Sequence, residues 1–358
     1  MQDFVLDIEE VDRLIRELPL RGVKGTTGNT NTGLVFALIT RFQNVHVHML
    51  LRFILHIQSV HFTLLLSHIL LLYPGTQATF LELFNGDHSK VQELDKLVCQ
   101  KMGFQKSIFL SGQTYTRKLD YKVLSALSEV GQSAQKMCTD IRLLASMKEI
   151  EEPFGKQQIG SSAMAYKRNP MRSERVCSLA RYLLSLPINA ANTHASQWFE
   201  RTLDDSAIRR IVLPEAFLTT DVILTTLIDI ADGLVVWPGV ISKHINDELP
   251  FMATEVILMQ CVKAGGDRQV LHEAIREHSM LAGRKVKEEG QPNDLLERVA
   301  KDPLFASVHS TLGSLLDPRL FIGRAPEQVD DFVLEVVDPL LSQHAALLSK
   351  KHSDVVNV

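Results

Sequence analysis

From Val123 to Leu144 the apolar residues Val123, Leu124, Leu127, Val130, Ala134, Met137, Cys138, Ile141 and Leu144 recur every three or four positions, and no proline interrupts them. That spacing commits the stretch to one long amphipathic helix. A helix with a single apolar stripe must bury it against other elements, so this feature constrains everything around it. Two further helical stretches, about 171–188 and 206–232, have few internal breakers, and a period-two strand pattern is almost absent. Long helices joined by short loops predict an all-α protein built round a helical bundle. Trp237-Pro238-Gly239 then punctuates the chain. Beyond it, shorter amphipathic segments are separated by Gly265-Gly266, by residues 288–294 and by the Asp-Pro pairs at 302 and 317. The expected organisation is a bundle domain over 1–236 and a smaller helical C-terminal domain over 237–358.

The chain has 358 residues and a formal net charge of -4, which argues against a nucleic-acid binder driven by general phosphate attraction. Cys99, Cys138, Cys177 and Cys261 are widely spaced and show no metal-ligand pattern. They read as reduced thiols of a cytoplasmic protein. The N-terminus, MQDFVLDIEEVDRL, is acidic and amphipathic, unlike a signal or transit peptide.

Three polar segments carry the chemistry. Residues 159–175, IGSSAMAYKRNPMRSER, combine Gly160, two hydroxyls at Ser161 and Ser162, and the cations Lys167, Arg172 and Arg175. This composition suits a loop that holds a carboxylate or phosphate, and it equally suits a solvated basic loop. Residues 197–210, QWFERTLDDSAIRR, place Asp204, Asp205 and Ser206 where each can cap a new helix, with Ser206 and Arg210 four apart on one face. Residues alone leave this between a capped, solvated helix and a phosphate site built from a helix N-terminus, Arg201 and Arg210. SGQTYTRK, residues 111–118, reads as a plain turn.

The 159–175 string resembles the signature loop of the fumarase/aspartase superfamily. The YKRNPMRSER and QWFERTLDDS strings are similar to animal members of its adenylosuccinate-cleaving branch, and the likeness runs through 1–28 and 76–358. The resemblance implies a long-helix bundle and a β-elimination that releases fumarate from adenylosuccinate, giving AMP, and from the succinyl-carboxamide ribotide of purine synthesis. It makes Ser161 the general base. It gives Lys167 and Asn169 to the succinyl carboxylate, and it makes Gln113, Arg175, Arg201, Ser206 and Arg210 substrate-binding residues. It calls for no cofactor or metal, no nucleic acid and no membrane, and it implies a homotetramer whose sites combine loops from three subunits. Two positions depart from the pattern: Ala165 stands where the loop has Pro, which loosens it, and Ile208 stands where close relatives have Asn. The family's acid, a His in Thr-His-x-Gln, has no counterpart, since Thr193-His194-Ala195-Ser196 lacks the Gln. The chain alone is therefore expected to be inactive. A second reading is a catalytically dead helical subunit that co-assembles with full-length lyase.

The segment from Gly28 to Thr76 stands apart. Phe53 to Leu81 contains no Asp, Glu, Lys or Arg, long enough for a membrane span, yet His56, Gln58, His61 and His68 interrupt it. His46, His48, His56, His61 and His68 fit no standard zinc spacing. The resembling family runs directly from GTTG into TQ. Residues 29–75 are therefore expected to be a translated intron: Gly28-Asn29 is codable as a splice donor, Pro74-Gly75 as an acceptor, and FTLLLSHILLLYP as a pyrimidine tract.

Overall fold

The computed structural model describes residues 1–23, 77–112, 114–155, 164, 166–198 and 202–348. The 29–75 block, and with it the histidine group, lies outside the described residues. Helices dominate the described chain: α1 (Gln2–Glu17), α2 (Ala78–Leu83), α3 (His88–Lys101), α4 (Lys118–Ser146), α5 (Met171–Ser185), α6 (Pro187–Ala195) and α7 (Asp205–Asp232). They continue as α8 (Pro238–Met252), α9 (Thr254–Lys263), α10 (Arg268–Glu289), α11 (Leu295–Lys301), α12 (Ala325–Phe332), α13 (Asp338–Gln343) and α14 (Ala345–Leu348). Strand among the described residues is confined to the two-residue β1 (Ile150–Glu151) and β2 (Val235–Val236). The all-α expectation holds.

The chain divides into two compact units, one of Met1–Val235 with the tail from Pro339, the other of Val236–Asp338. In the first unit α4 packs against α1, α5, α6 and α7. Seven residues of its predicted stripe are buried, while Met137 and Leu144 are half-buried at the margin. Facing them are Val176, Cys177, Ala180 and Leu183 of α5, and Val212, Leu213, Ala216, Ile223, Leu224, Leu227 and Ile230 of α7. Gly131, mid-way along α4, lets α5 approach: a Cβ there would sit 3.2 Å from Leu183 Cδ2. Glycine costs about 1 kcal/mol of helix propensity, so close packing is what it provides in return.

The predicted 171–188 helix is two helices, because Pro187 cannot donate a helical hydrogen bond and restarts the chain as the first residue of α6. Helix α7 is long and apolar enough to cross a membrane, but it is a bundle helix, with 61 % of its most apolar window buried inside the protein. Tail and N-terminus of this unit meet where His344 pairs with Asp12 at 2.9 Å.

Before residue 24 the chain is pinned by Asp95, whose carboxylate accepts from Val23 N–H at 2.6 Å and from the Ser107 hydroxyl. Gly22 has φ +85°, and a Cβ there would lie 2.4 Å from Asp95 Oδ1, so glycine is required on both counts. Gln77 Nε2, on the far side of the 24–76 stretch, donates to Val23 O at 3.1 Å. The two flanks of the anomalous block are thus hydrogen-bonded neighbours.

In the second unit the punctuation read from sequence sets the element ends. Asp267 caps α10 by accepting from Gln269 and Val270 N–H at 2.8 and 3.1 Å, and Gly290 ends that helix at φ +63°. Asp302 and Asp317, each followed by proline, cap short 3₁₀ turns. Ile257, Leu258, Leu271, Ile275, Leu295, Val299 and Phe305 form its core.

Candidate active site

The stretch after β1 is anchored by a carboxylate. Glu152 is buried and accepts the backbone N–H groups of Arg172 at 3.0 Å and Ser173 at 2.7 Å, so it caps α5 in place of any residue at the N-cap itself. Two orphan donors and the positive end of the helix dipole are satisfied at once. Arg172 is buried beside it, ion-paired with Asp229 of α7 and donating to Pro153 O at 2.5 Å. This corrects the expectation that Arg172 is a free cation for an anion. Arg168 is also engaged, 3.0 Å from Glu151 and stacked 5.0 Å over the Phe154 ring. Lys167 and Arg175 remain exposed, while Asn169 is half-buried and its carbonyl accepts from Met171 N–H at 2.8 Å. Gly160, Ser161, Ser162 and Ala165 lie outside the described residues.

Helix α7 begins at Asp205 with Asp204 at the N-cap, but the Asp204 side chain makes no cap bond. It accepts instead from the Thr202 hydroxyl and from Gln197 Nε2 at 3.3 Å, tying the entry turn to itself. Asp205, the first residue of α7, is fully buried. The predicted pair is present: Arg210 donates to Ser206 Oγ at 2.6 Å, with Arg210 exposed and Ser206 half-buried. Pro214, one turn on, has no N–H for the Arg210 carbonyl. Arg201 and Gln113 lie outside the described residues.

Beneath Ser206 and Arg210 is an ionic cluster that sequence reasoning missed. Arg117, the residue before α4, grips Asp205 Oδ2 through Nε at 2.8 Å and Nη2 at 2.5 Å. Arg209 in turn donates from Nε to Asp120 at 2.5 Å. Tyr115 joins the two pairs: its hydroxyl donates to Asp120 at 2.6 Å and accepts from Arg209 Nη2 at 2.5 Å, and both guanidiniums lie over its ring. All five side chains are buried. Burial and the Asp120 charge push the Tyr115 hydroxyl well above its ordinary pKa, so it stays a donor. Burial works against the Arg209 charge, but Tyr115, Asp120 and Asp205 outweigh it and hold the guanidinium protonated. The available signal was the second i, i+4 pair, Asp205 and Arg209, one residue out of step with Ser206 and Arg210.

Among the described residues no hydrogen bond or ion pair joins Lys167, Asn169 or Arg175 to Ser206 or Arg210. Arg172 at the start of α5 pairs with Asp229, 19 residues beyond Arg210 on α7, so the exposed Lys167 and Arg175 and the exposed Arg210 form two separate cationic surfaces of the described chain, about 28 Å apart along the helix at 1.5 Å per residue. No group of His, Cys, Asp or Glu able to hold a metal ion occurs among the described residues. The four cysteines are buried and form no disulfide, and burial raises Cys138 to about 12, which makes it an inert packing residue.

The profile of the family described as "Adenylosuccinate lyase C-terminus" matches residues 250–332, and that described as "Lyase" matches 83–183, a span that includes the whole 159–175 loop. Adenylosuccinate lyase of Schizosaccharomyces pombe is 55% identical over 281 residues, covering 78% of this chain and 58% of the relative. That of Saccharomyces cerevisiae is 49% identical over 341 residues, covering 95% and 61%. The chain belongs to the adenylosuccinate lyase family, within the fumarase/aspartase superfamily. It spans about three fifths of the length of these curated family members. Two solved structures share the fold: 3-carboxy-cis,cis-muconate lactonizing enzyme from Pseudomonas putida (TM-score 0.58, 18% identity, 96% of this chain and 72% of that one) and fumarate lyase from Mesorhizobium sp. BNC1 (TM-score 0.56, 17% identity, 95% and 72%).

Proposed function

We propose that this chain contributes to an adenylosuccinate lyase active site, which eliminates fumarate from adenylosuccinate and from the succinyl-carboxamide ribotide. The observation that carries the reading is the 159–175 loop inside the span matched by the lyase profile, in a chain about half identical to fungal adenylosuccinate lyases. The hard step is removing a feebly acidic proton from carbon next to a carboxylate. Ser161 acts as the base, made nucleophilic toward the proton by cationic surroundings to which Lys167 contributes. Lys167 and Asn169 hold the succinyl carboxylate, where charge grows as the proton leaves. Arg175, Arg201, Ser206 and Arg210 bind the rest of the nucleotide, the last three taking its phosphate at the start of α7, and Gln113 contacts the substrate from the 111–118 segment. No cofactor takes part.

The separation of the two cationic surfaces fits a homotetramer in the cytoplasm whose sites are completed across subunits. Uncovered Ile211, Leu218 and Val222 on α7, each more than 40 % exposed, suit such an assembly. A bundle domain over 1–236 and a C-terminal domain over 237–358 belong to the same reading, supported by the compact unit Val236–Asp338.

The test is complementation. Mixed with full-length fission yeast lyase whose own active serine is replaced by Ala, this chain should restore fumarate release from adenylosuccinate. Ser161→Ala in this chain should lower that restored rate by about a thousandfold or more, the upper range for a positioned base. Restored activity that survives Ser161→Ala removes Ser161 as the base. Co-assembly that restores no activity supports a regulatory subunit instead.

A further inference from the structure

The buried cluster under α7 does work that its stability alone does not explain. Four fully buried charges cost several kcal/mol each to desolvate, and an apolar set of similar volume is often as stable. What paired guanidinium forks supply is geometry, since each arginine fixes a carboxylate by direction as well as by charge. Arg117 holds Asp205, and Arg209 holds Asp120, so the 115–120 segment and the first turns of α7 are locked by two pairs running in opposite senses. Side-chain exposures are 4 % and 0 % for the first pair and 6 % and 2 % for the second. Asp205 and Arg209 each immediately precede one of the residues of the outward pair, Ser206 and Arg210. A helix turns about 100° per residue, so fixing the inner face fixes where the outer face points.

We infer that Tyr115, Arg117, Asp120, Asp205 and Arg209 are positioning residues, which set the rotation of the α7 N-terminus so that Ser206 and Arg210 present one phosphate-binding face. This rests on the phosphate role proposed for Ser206 and Arg210. The shared Tyr115 hydroxyl makes the two pairs one unit, because it bonds Asp120 and Arg209 together and its ring lies against both guanidiniums.

The test measures binding of AMP, and of adenosine as a phosphate-free control, to the purified full chain by calorimetry. Arg209→Lys keeps the charge but loses the fork that spans Asp120 and Tyr115. It should weaken AMP about tenfold, equivalent to about 1.4 kcal/mol, and leave adenosine unchanged. Tyr115→Phe should act in the same direction with less effect, and it decides the matter if Arg209→Lys lowers helix content or melting temperature. Arg210→Ala serves as the reference. AMP and adenosine weakening together in the network variants would show a general structural role and overturn the inference. Normal AMP binding by both network variants, with Arg210→Ala impaired, defeats the inference and leaves the phosphate reading standing. AMP binding unaffected by Arg210→Ala, or absent from the unsubstituted chain, defeats the phosphate reading and the inference with it.

Discussion

Asp7 is the residue whose environment most opposes its usual state. It lies on the buried face of α1; burial raises its carboxyl to about 6, the Ser133 hydroxyl partly offsets this, and the nearby Glu129 and Asp3 charges add to it. One of its oxygens, Oδ2, has no hydrogen-bond partner among the described residues. A folded pKa above the ordinary 3.8 means that the fold favours the protonated acid. Its stabilising contribution is complete below pH 4 and lost as pH rises through about 6. Asp7→Asn should therefore stabilise the protein at pH 7 by roughly 2–3 kcal/mol, at 1.36 kcal/mol per pKa unit, and by little near pH 4. Urea denaturation of both proteins across that range checks this. A stability difference that does not change with pH would mean that Asp7 ionises normally in the fold.

At the scale of elements, the helix that follows the segment of the proposed base is capped by a single carboxylate. Glu152 holds the N-terminus of α5 from outside the helix, through Arg172 and Ser173 N–H. Glu152→Ala should cost about 1–2 kcal/mol, the range for losing a side-chain cap, and should release Arg172–Glu174 to faster amide exchange. Amide exchange by mass spectrometry reads this directly, and unchanged protection there would show that the Arg172–Asp229 pair holds the helix alone. The flanks of the 29–75 block give a second expectation. Gln77 is bonded to Val23, and deleting 29–75 leaves the six residues 24–28 and 76 to bridge them. Shortening a loop between adjacent ends lowers closure entropy, so the deletion should keep or raise the melting temperature. A fall of more than a few degrees would show that the block is integral to the fold.

For the whole molecule, the uncovered stripe on α7 has the spacing of a packing face. Ile211, Leu218 and Val222 lie seven and four residues apart, along the helix whose other sides form the core of the first unit. Leu218→Arg with Val222→Arg should convert the proposed tetramer to smaller species while far-ultraviolet circular dichroism is unchanged. Sedimentation velocity distinguishes the two states. An unaltered sedimentation coefficient would place the subunit contacts elsewhere.

Periodicity determined the bundle, because apolar spacing every three or four residues has one low-energy answer and leaves few packings. The Val123–Leu144 stripe and the breaks at Gly265-Gly266, at 288–294 and at the Asp-Pro pairs of 302 and 317 were readable for that reason: each is a local rule, satisfied within a few residues. The Ser206–Arg210 pair was readable too, since i, i+4 neighbours meet on any helix. What sequence could not rank was competition for partners. Arg172 looked as available as Arg175 until Asp229, 57 residues away along the chain, took it. Asp205 looked like a cap until Arg117 buried it. Glu152 carried no sign that it would cap a helix twenty residues on. Which charges face a substrate and which face each other depends on contacts between distant segments, and tertiary packing alone makes that choice.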